Sequence, residues 1–305
     1  MTDLKVRRPK FDFTEDVPWM WHPDSPAFSF SMNATSMIAI GFEQMIVAAV
    51  KEARPLITDP AVEAEAMAFL RQEAQHSSTH RKHVNALIRR YPGLQETFDE
   101  MLASFDHVTA SRSLEFRLAY VADTEATFTP SFKLMLDNEK TLFRPGDERV
   151  ASLFLWHFVE EVEHRSSALI IYDAVVGKPW YRMRVLPAIF RHLLEVAAII
   201  ADGVNAHVPL EDRKVDARTF LPAFNMRTAL RQRLPFGRPD ADPIPPAFSG
   251  VSRREKFIAI SRVLLSQTPF HNPEHEPLPE FADEWFGRWD RGEDVTRWYS
   301  AERAG

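Results

Sequence analysis

Apolar residues recur at helical spacing through most of the chain, and alternating apolar and polar runs of the kind that make strands are scarce. The pattern predicts an all-α fold. Met37, Ile38, Ile40, Phe42, Met45, Ile46 and Ala49 mark a first helix from near Ser31 to about Ala53, stopped before Pro55. A second helix starts at Pro60, a residue suited to the first turn, and runs to about Tyr91-Pro92. A shorter one covers Leu94 to Phe105, and a long one runs from Ser111 to about Asp137, with Pro130 expected to kink or break it shortly after Glu125. One continuous helix is expected from about Glu148 to Val176. Gly177-Lys178-Pro179 stops it, and a strongly apolar helix follows from Leu186 to Val208, with Pro187 in its first turn. Residues 1–30 read as an irregular arm carrying Trp19 and Trp21, 31–208 as the helical bundle, and 209–305 as an extension packed on it. Within that extension, segments 233–249 and 268–281 are rich in proline, a helix fits Arg253 to Ser266, and Phe281, Trp285, Trp289 and Trp298 are its expected anchors.

Composition narrows the chemistry. The 305 residues, 45% hydrophobic and 26% charged, suffice for a sizeable core. A net charge of −6 carries no nucleic-acid footprint. The absence of cysteine excludes disulfides, Fe–S clusters and thiolate sites, leaving imidazole and carboxylate as the strong metal ligands. Met1 to Pro18 has no apolar run, so no signal peptide and a cytoplasmic location are expected. Arg191, His192, Glu195 and Asp202 interrupt the apolar helix near Leu186–Val208, which argues against a membrane span there. With only 10 glycines, no phosphate-cradling loop or dinucleotide fingerprint is present.

The polar residues inside the apolar helices carry the chemistry. His157, Glu161 and His164 are spaced four and three apart and share one helix face beside Phe154, Trp156 and Phe158. Imidazoles and carboxylates in such surroundings cost several kcal/mol unless they are paired or bind a metal. Glu73 with His76, and Glu161 with His164, are two Glu-x-x-His motifs, and Glu43 and Glu125 are lone carboxylates on two other helices. The order Glu, Glu-x-x-His, Glu, Glu-x-x-His is the ligand plan of di-iron carboxylate bundles. Glu43 and Glu73 are 30 residues apart and Glu125 and Glu161 are 36 apart, distances that suit antiparallel helix pairs; the gap of 52 between Glu73 and Glu125 suits a crossover.

On these motifs the chain resembles the ferritin-like superfamily over about residues 31–176, which implies a ferritin-like four-helix bundle with extra helices and an irregular proline-rich C-terminal tail. The final His-x-x-x-Glu-x-x-His resembles that of the di-iron arylamine N-oxygenases, whose site has an added histidine. The resemblance implies Glu43, Glu73, His76, Glu125, His157, Glu161 and His164 as ligands. The whole chain, with its Trp-rich arm and proline-rich tail, also resembles a bacterial family described as predicted metal-dependent hydrolases. One departure is Gln72 before Glu73, where many such bundles have Asp or Glu; Glu160 does precede Glu161. The implied cofactor is two Fe ions; Mn or a mixed Fe/Mn pair suits the same donors, and Zn less so. The implied activity is O2-dependent oxidation of a small organic substrate, supplied with electrons by an external donor. Metal-dependent hydrolysis at the same site is the alternative, and a non-catalytic metal site a third reading. A homodimer is expected by the same resemblance.

Other residues offer lesser candidates. His80 and His83 continue the His76 stripe; they could support the ligands or line a channel, but read chiefly as a polar or partly exposed face. Asp123 and Glu160 could orient ligand imidazoles. Glu115 is a rival to Glu125, disfavoured because acids are commonly placed at helix starts. Tyr120 and Trp156 suit core packing near the metal level, and Arg191 with Glu195 suits a buried ion pair. His271-Asn272-Pro273-Glu274-His275 fits an inverted zinc-protease motif, but Pro273 opposes the helix that the motif needs.

Overall fold

The computed structural model describes residues 4–221 and 245–300. Among the described residues there are eleven α-helices and no strand. Ser25 and Pro26 start α1 (Pro26–Ala53), the serine side chain accepting from the Phe28 amide. This cap and first-turn proline place the start five residues before Ser31. Asp59 and Pro60 do the same for α2 (Pro60–Arg90). The third helix, α3 (Leu94–Ser111), outlasts the predicted Phe105 by about one and a half turns. Ser113 caps α4 (Leu114–Asp137), which runs through Pro130 as one element, so the expected break does not occur. A single turn, α5 (Glu139–Leu142), follows.

The continuous helix expected over 148–176 is two helices, α6 (Glu148–Glu163) and α7 (Ser167–Val175). His164 leaves helical geometry at the C-cap, and the Ser167 amide bonds the His164 carbonyl at 2.8 Å. Ser166 and Ser167 explain the break, because serine competes poorly in a helix interior and bonds well outside one. Ser167 Oγ donates to the buried Glu65 carboxylate at 2.7 Å. The apolar helix begins two turns early, as α8 (Pro179–His207), so Pro187 lies in its interior. It is followed by α9 (Leu210–Arg213), α10 (Arg253–Ser266), which matches its predicted bounds, and the unpredicted α11 (Glu280–Asp290).

Packing brings four of these helices around one interior. α1 lies against α2, α3 and α4, α2 against α6 and α7, and α4 against α6, α7 and α8. α10 packs on α4, and α11 packs on α4 and α6. Phe281, Trp285 and Trp298 are buried as expected, whereas Trp289 is only partly covered. The N-terminal arm buries Phe11, Phe13, Val17, Trp19 and Trp21. Among the described residues, α1 with the following turn, not α8, is long and apolar enough by length and composition to cross a membrane. Its apolar window is 67% buried inside the molecule, as a core helix requires. At the α3–α8 crossing a Cβ on Gly203 would lie 1.9 Å from Thr97 Oγ1, so only glycine permits this approach.

Candidate metal centre

The seven residues singled out by spacing converge in one buried cluster. Glu43 comes from α1, Glu73 and His76 from α2, Glu125 from α4, His157 and Glu161 from α6, and His164 from its C-cap. Glu43, His76, His157 and Glu161 bring one atom each within 4.8 Å of one another, and Glu73, Glu161 and His164 form a second such group. Glu161 belongs to both. His157 Nε2 is 2.8 Å from Glu161 Oε1 and 3.5 Å from Glu43 Oε1. His164 Nε2 is 3.0 Å from Glu161 Oε2, 3.1 Å from Glu73 Oε1 and 3.6 Å from Glu125 Oε2.

Five of the polar atoms here are not satisfied by protein. Glu43 Oε2, both oxygens of Glu73, Glu125 Oε1 and His76 Nδ1 are buried without a hydrogen-bond partner. His76 Nδ1 and Glu161 Oε1 are 3.4 Å apart but poorly aligned. Buried polar groups are normally paired, and a set of orphans pointing into one space calls for a ligand that all of them can share. Carboxylate and imidazole are the donors that iron, manganese and zinc accept. The residues therefore fit a metal centre.

Electrostatics tell the same story. Burial, with repulsion among Glu73, Glu161 and Glu125, pushes Glu43 well above the usual carboxylate range despite His76 nearby. Burial and the charge of Glu161 do the same to Glu125. Glu73 is raised to about 7, first by burial and then by Glu161. Burial opposes charge on Glu161 too, but His164 and contacts with His157, His164 and His76 draw it well below. Burial disfavours charge on His76 and His164, yet Glu160 and Glu161 outweigh it at His76, and Glu161 and Glu125 at His164, so both are raised well above an ordinary histidine. Burial and His76 lower His157 to about 4. Burial and mutual repulsion thus favour the protonated carboxylates of Glu43, Glu73 and Glu125, and the neighbouring carboxylates favour imidazolium at His76 and His164.

A ring of polar contacts ties the two Glu-x-x-His motifs together. His76 Nε2 meets Glu160 Oε2 at 2.9 Å, and His164 Nδ1 meets Gln72 Oε1 at 3.1 Å. The residue before each motif glutamate thus supports the histidine of the other motif, and Gln72 serves in spite of its departure from the acidic pattern. Arg7, from the N-terminal arm, closes the ring. Its guanidinium donates to Glu160 at 3.3 Å and to both oxygens of Glu163 at 2.7 and 2.9 Å, while Gln72 Nε2 donates to Glu163 at 2.9 Å. Arg7 could not be found from helix spacing, because it lies outside any helix.

The other candidates divide. Asp123 does not reach a ligand histidine: it pairs with Arg182 at 2.7 Å, both buried. Glu115 pairs with Lys178 at 3.0 Å, away from the cluster. Trp156 stacks edge-on to His76, ring centres 5.0 Å apart, and Tyr120 bonds His192 at 2.8 Å. Arg191 and Glu195 form no buried pair, being exposed and 3.7 Å apart on the α8 surface. His80 and His83 are fully buried, not partly exposed, because the N-terminal arm and α6 cover that face of α2. Residues Pro273–His275 form one 3-10 turn, with Glu274 and His275 exposed, so the inverted zinc motif is not assembled. A cavity of ≈ 370 Å³ between α1 and α2 is lined by Glu43, Gln44, Val47, Ala74, Ser77 and Arg81, and so gives access to the Glu43 edge of the cluster.

No characterised protein and no solved structure matched the chain. The family described as "Predicted metal-dependent hydrolase" matches residues 5–243, a span that holds the arm, all seven cluster residues and Arg7. With the buried Glu and His cluster at its centre, the chain belongs to this predicted metal-dependent hydrolase family.

Proposed function

We propose that the cluster holds a pair of divalent metal ions and that the protein is a dinuclear metal-dependent hydrolase of a small organic substrate. The observation that carries this reading is the set of buried carboxylate and imidazole atoms left without partners around one shared glutamate. In this proposal α1, α2, α4 and α6 are the four helices of a ferritin-like bundle, each contributing in the order Glu, Glu-x-x-His, Glu and Glu-x-x-His. Glu161, common to both groups, would help to hold both ions. A bound pair of this kind supplies an activated water at neutral pH and a Lewis acid for a carbonyl or phosphoryl oxygen. The protein's own residues do the rest. Glu160, Gln72, Glu163 and Arg7 hold His76 and His164 in place, and Glu43 is the cluster carboxylate that a substrate entering the α1–α2 cavity meets first.

A second reading is oxidation by O2 with two irons and an external electron donor. The observation that favours it is the seventh donor, His157, in a carboxylate-rich buried site. Metal analysis of freshly purified protein, with paired assays, separates the two. Hydrolysis of test esters or lactones under nitrogen, lost on chelation, supports the first reading. O2 uptake by reduced, iron-loaded protein without hydrolysis supports the second. Both call for about two metals per chain, and a chain that binds none after reconstitution refutes both.

A further inference from the structure

We infer that His80, backed by Ser36 and His83, is a positioning residue that dictates which ring nitrogen of His157 faces the cluster. The inference rests on the proposed metal pair being held in part by His157. All four side chains are buried. His80 Nε2 lies 2.7 Å from His157 Nδ1, and His80 Nδ1 lies 2.9 Å from Ser36 Oγ. Ser36 Oγ in turn lies 2.8 Å from His83 Nδ1. The result is an unbranched chain that runs from the cluster on α6, through α2 to α1, and back to α2.

The chemistry of the chain leaves little freedom. The cluster-facing atom of His157 is Nε2, beside Glu161 and Glu43. A ligating nitrogen must offer its lone pair, so the His157 proton sits on Nδ1 and is donated to His80 Nε2. A neutral His80 that accepts at Nε2 carries its proton on Nδ1 and donates it to Ser36 Oγ. The serine hydroxyl has a single proton, which it donates to His83 Nδ1. Each bond then has one donor and one acceptor. Apolar rings seal the chain: Phe154 lies 5.4 Å from His80, and Phe13 of the arm lies 5.3 Å from His83, centre to centre. Both His80 and His83 are fully buried, and burial favours a neutral imidazole, the form that this arrangement requires. Helix spacing alone suggests that His80 extends the His76 stripe; the structure shows that it contacts another motif's histidine instead.

Cobalt(II) titration of the metal-free protein tests the assignment without an activity assay, because the visible bands of the ion report its coordination. Wild type, His80→Leu, His80→Gln, Ser36→Ala and His157→Ala are compared, with thermal melting as a check on folding. The Gln amide oxygen can accept from His157 where Nε2 did, whereas Leu cannot. His80→Leu is expected to weaken one of the two cobalt sites about 10–100-fold and to give bands like those of His157→Ala. His80→Gln should restore affinity and spectrum to near wild type, and Ser36→Ala should fall between. In the His80→Leu/His157→Ala double variant no further loss is expected. Wild-type affinity and bands in a folded His80→Leu, or in Ser36→Ala should His80→Leu not fold, would overturn the inference, as would additive losses in the double variant. A wild type that takes up no cobalt would instead remove the metal proposal on which the inference stands.

Discussion

Loading the metal-free protein with its ions at pH 7 should expel protons, since ligands must shed protons to bind. The direction follows from the cluster. Glu43 and Glu125 are held well above the ordinary carboxylate range, which favours their protonated forms. Glu73, at about 7, is half protonated. His76 and His164 are both raised well above an ordinary histidine, which favours imidazolium, and a ligating imidazole must give that proton up. Glu161, drawn well below, and His157, at about 4, have none to give. By linkage, a fall of one pH unit weakens the overall two-ion constant by about tenfold, or about 1.4 kcal/mol, for each proton released. Calorimetric titration in buffers of different ionisation heat gives the count directly. Release of fewer than about one proton while two ions bind would refute the reasoning, because the carboxylates would then already be ionised in the metal-free core. Glu73 also sets a sign for stability. Its folded value lies above the ordinary carboxylate value of 4.5, so its stabilising contribution is complete below 4.5 and is lost as pH rises to about 7. The loss is roughly 3 kcal/mol. Metal-free Glu73→Gln, which cannot ionise there, should therefore melt higher than metal-free wild type at pH 7.5.

Three further outcomes can be checked. Arg182→Met should cost about 3–5 kcal/mol in urea unfolding by stranding the buried Asp123 carboxylate; Asp123→Asn in the same chain should recover much of it. Gly203→Val should destabilise by about 1–3 kcal/mol through overpacking against Thr97, and Thr97→Ala should partly relieve it in the same melting experiment. His271→Ala should leave metal content unchanged, since the 271–275 segment forms no helix to align its histidines; loss of metal would return the inverted motif to consideration.

Much of the site was legible because its rules are local. A helix rises by a fixed step, so residues three, four and seven apart share a face whatever the rest of the chain does. His157, Glu161 and His164 could be grouped on that ground, as could Glu73 with His76. Proline in a first turn made the start at Pro60 readable, whereas the start at Ser25-Pro26 lies ahead of the apolar period that marks the helix. The break after His164 was harder to read, because apolar spacing continues across it and only the paired serines signal the turn.

What spacing could not supply is which helix faces meet and at what height. Gln72 supports His164, Glu160 supports His76, and Arg7 reaches Glu160 and Glu163 across more than 150 residues. His80 turns from its own helix's stripe to His157, and Asp123 turns away from the cluster to Arg182. The sequence by itself determined an all-helical chain, and local periodicity grouped His157, Glu161 and His164, and Glu73 with His76, whereas Glu43 and Glu125 were put forward only by their order along the chain. The tertiary structure decided how those residues are oriented and which atoms are left unpaired, because hydrogen bonds of about 3 Å depend on helix register and on where the arm packs.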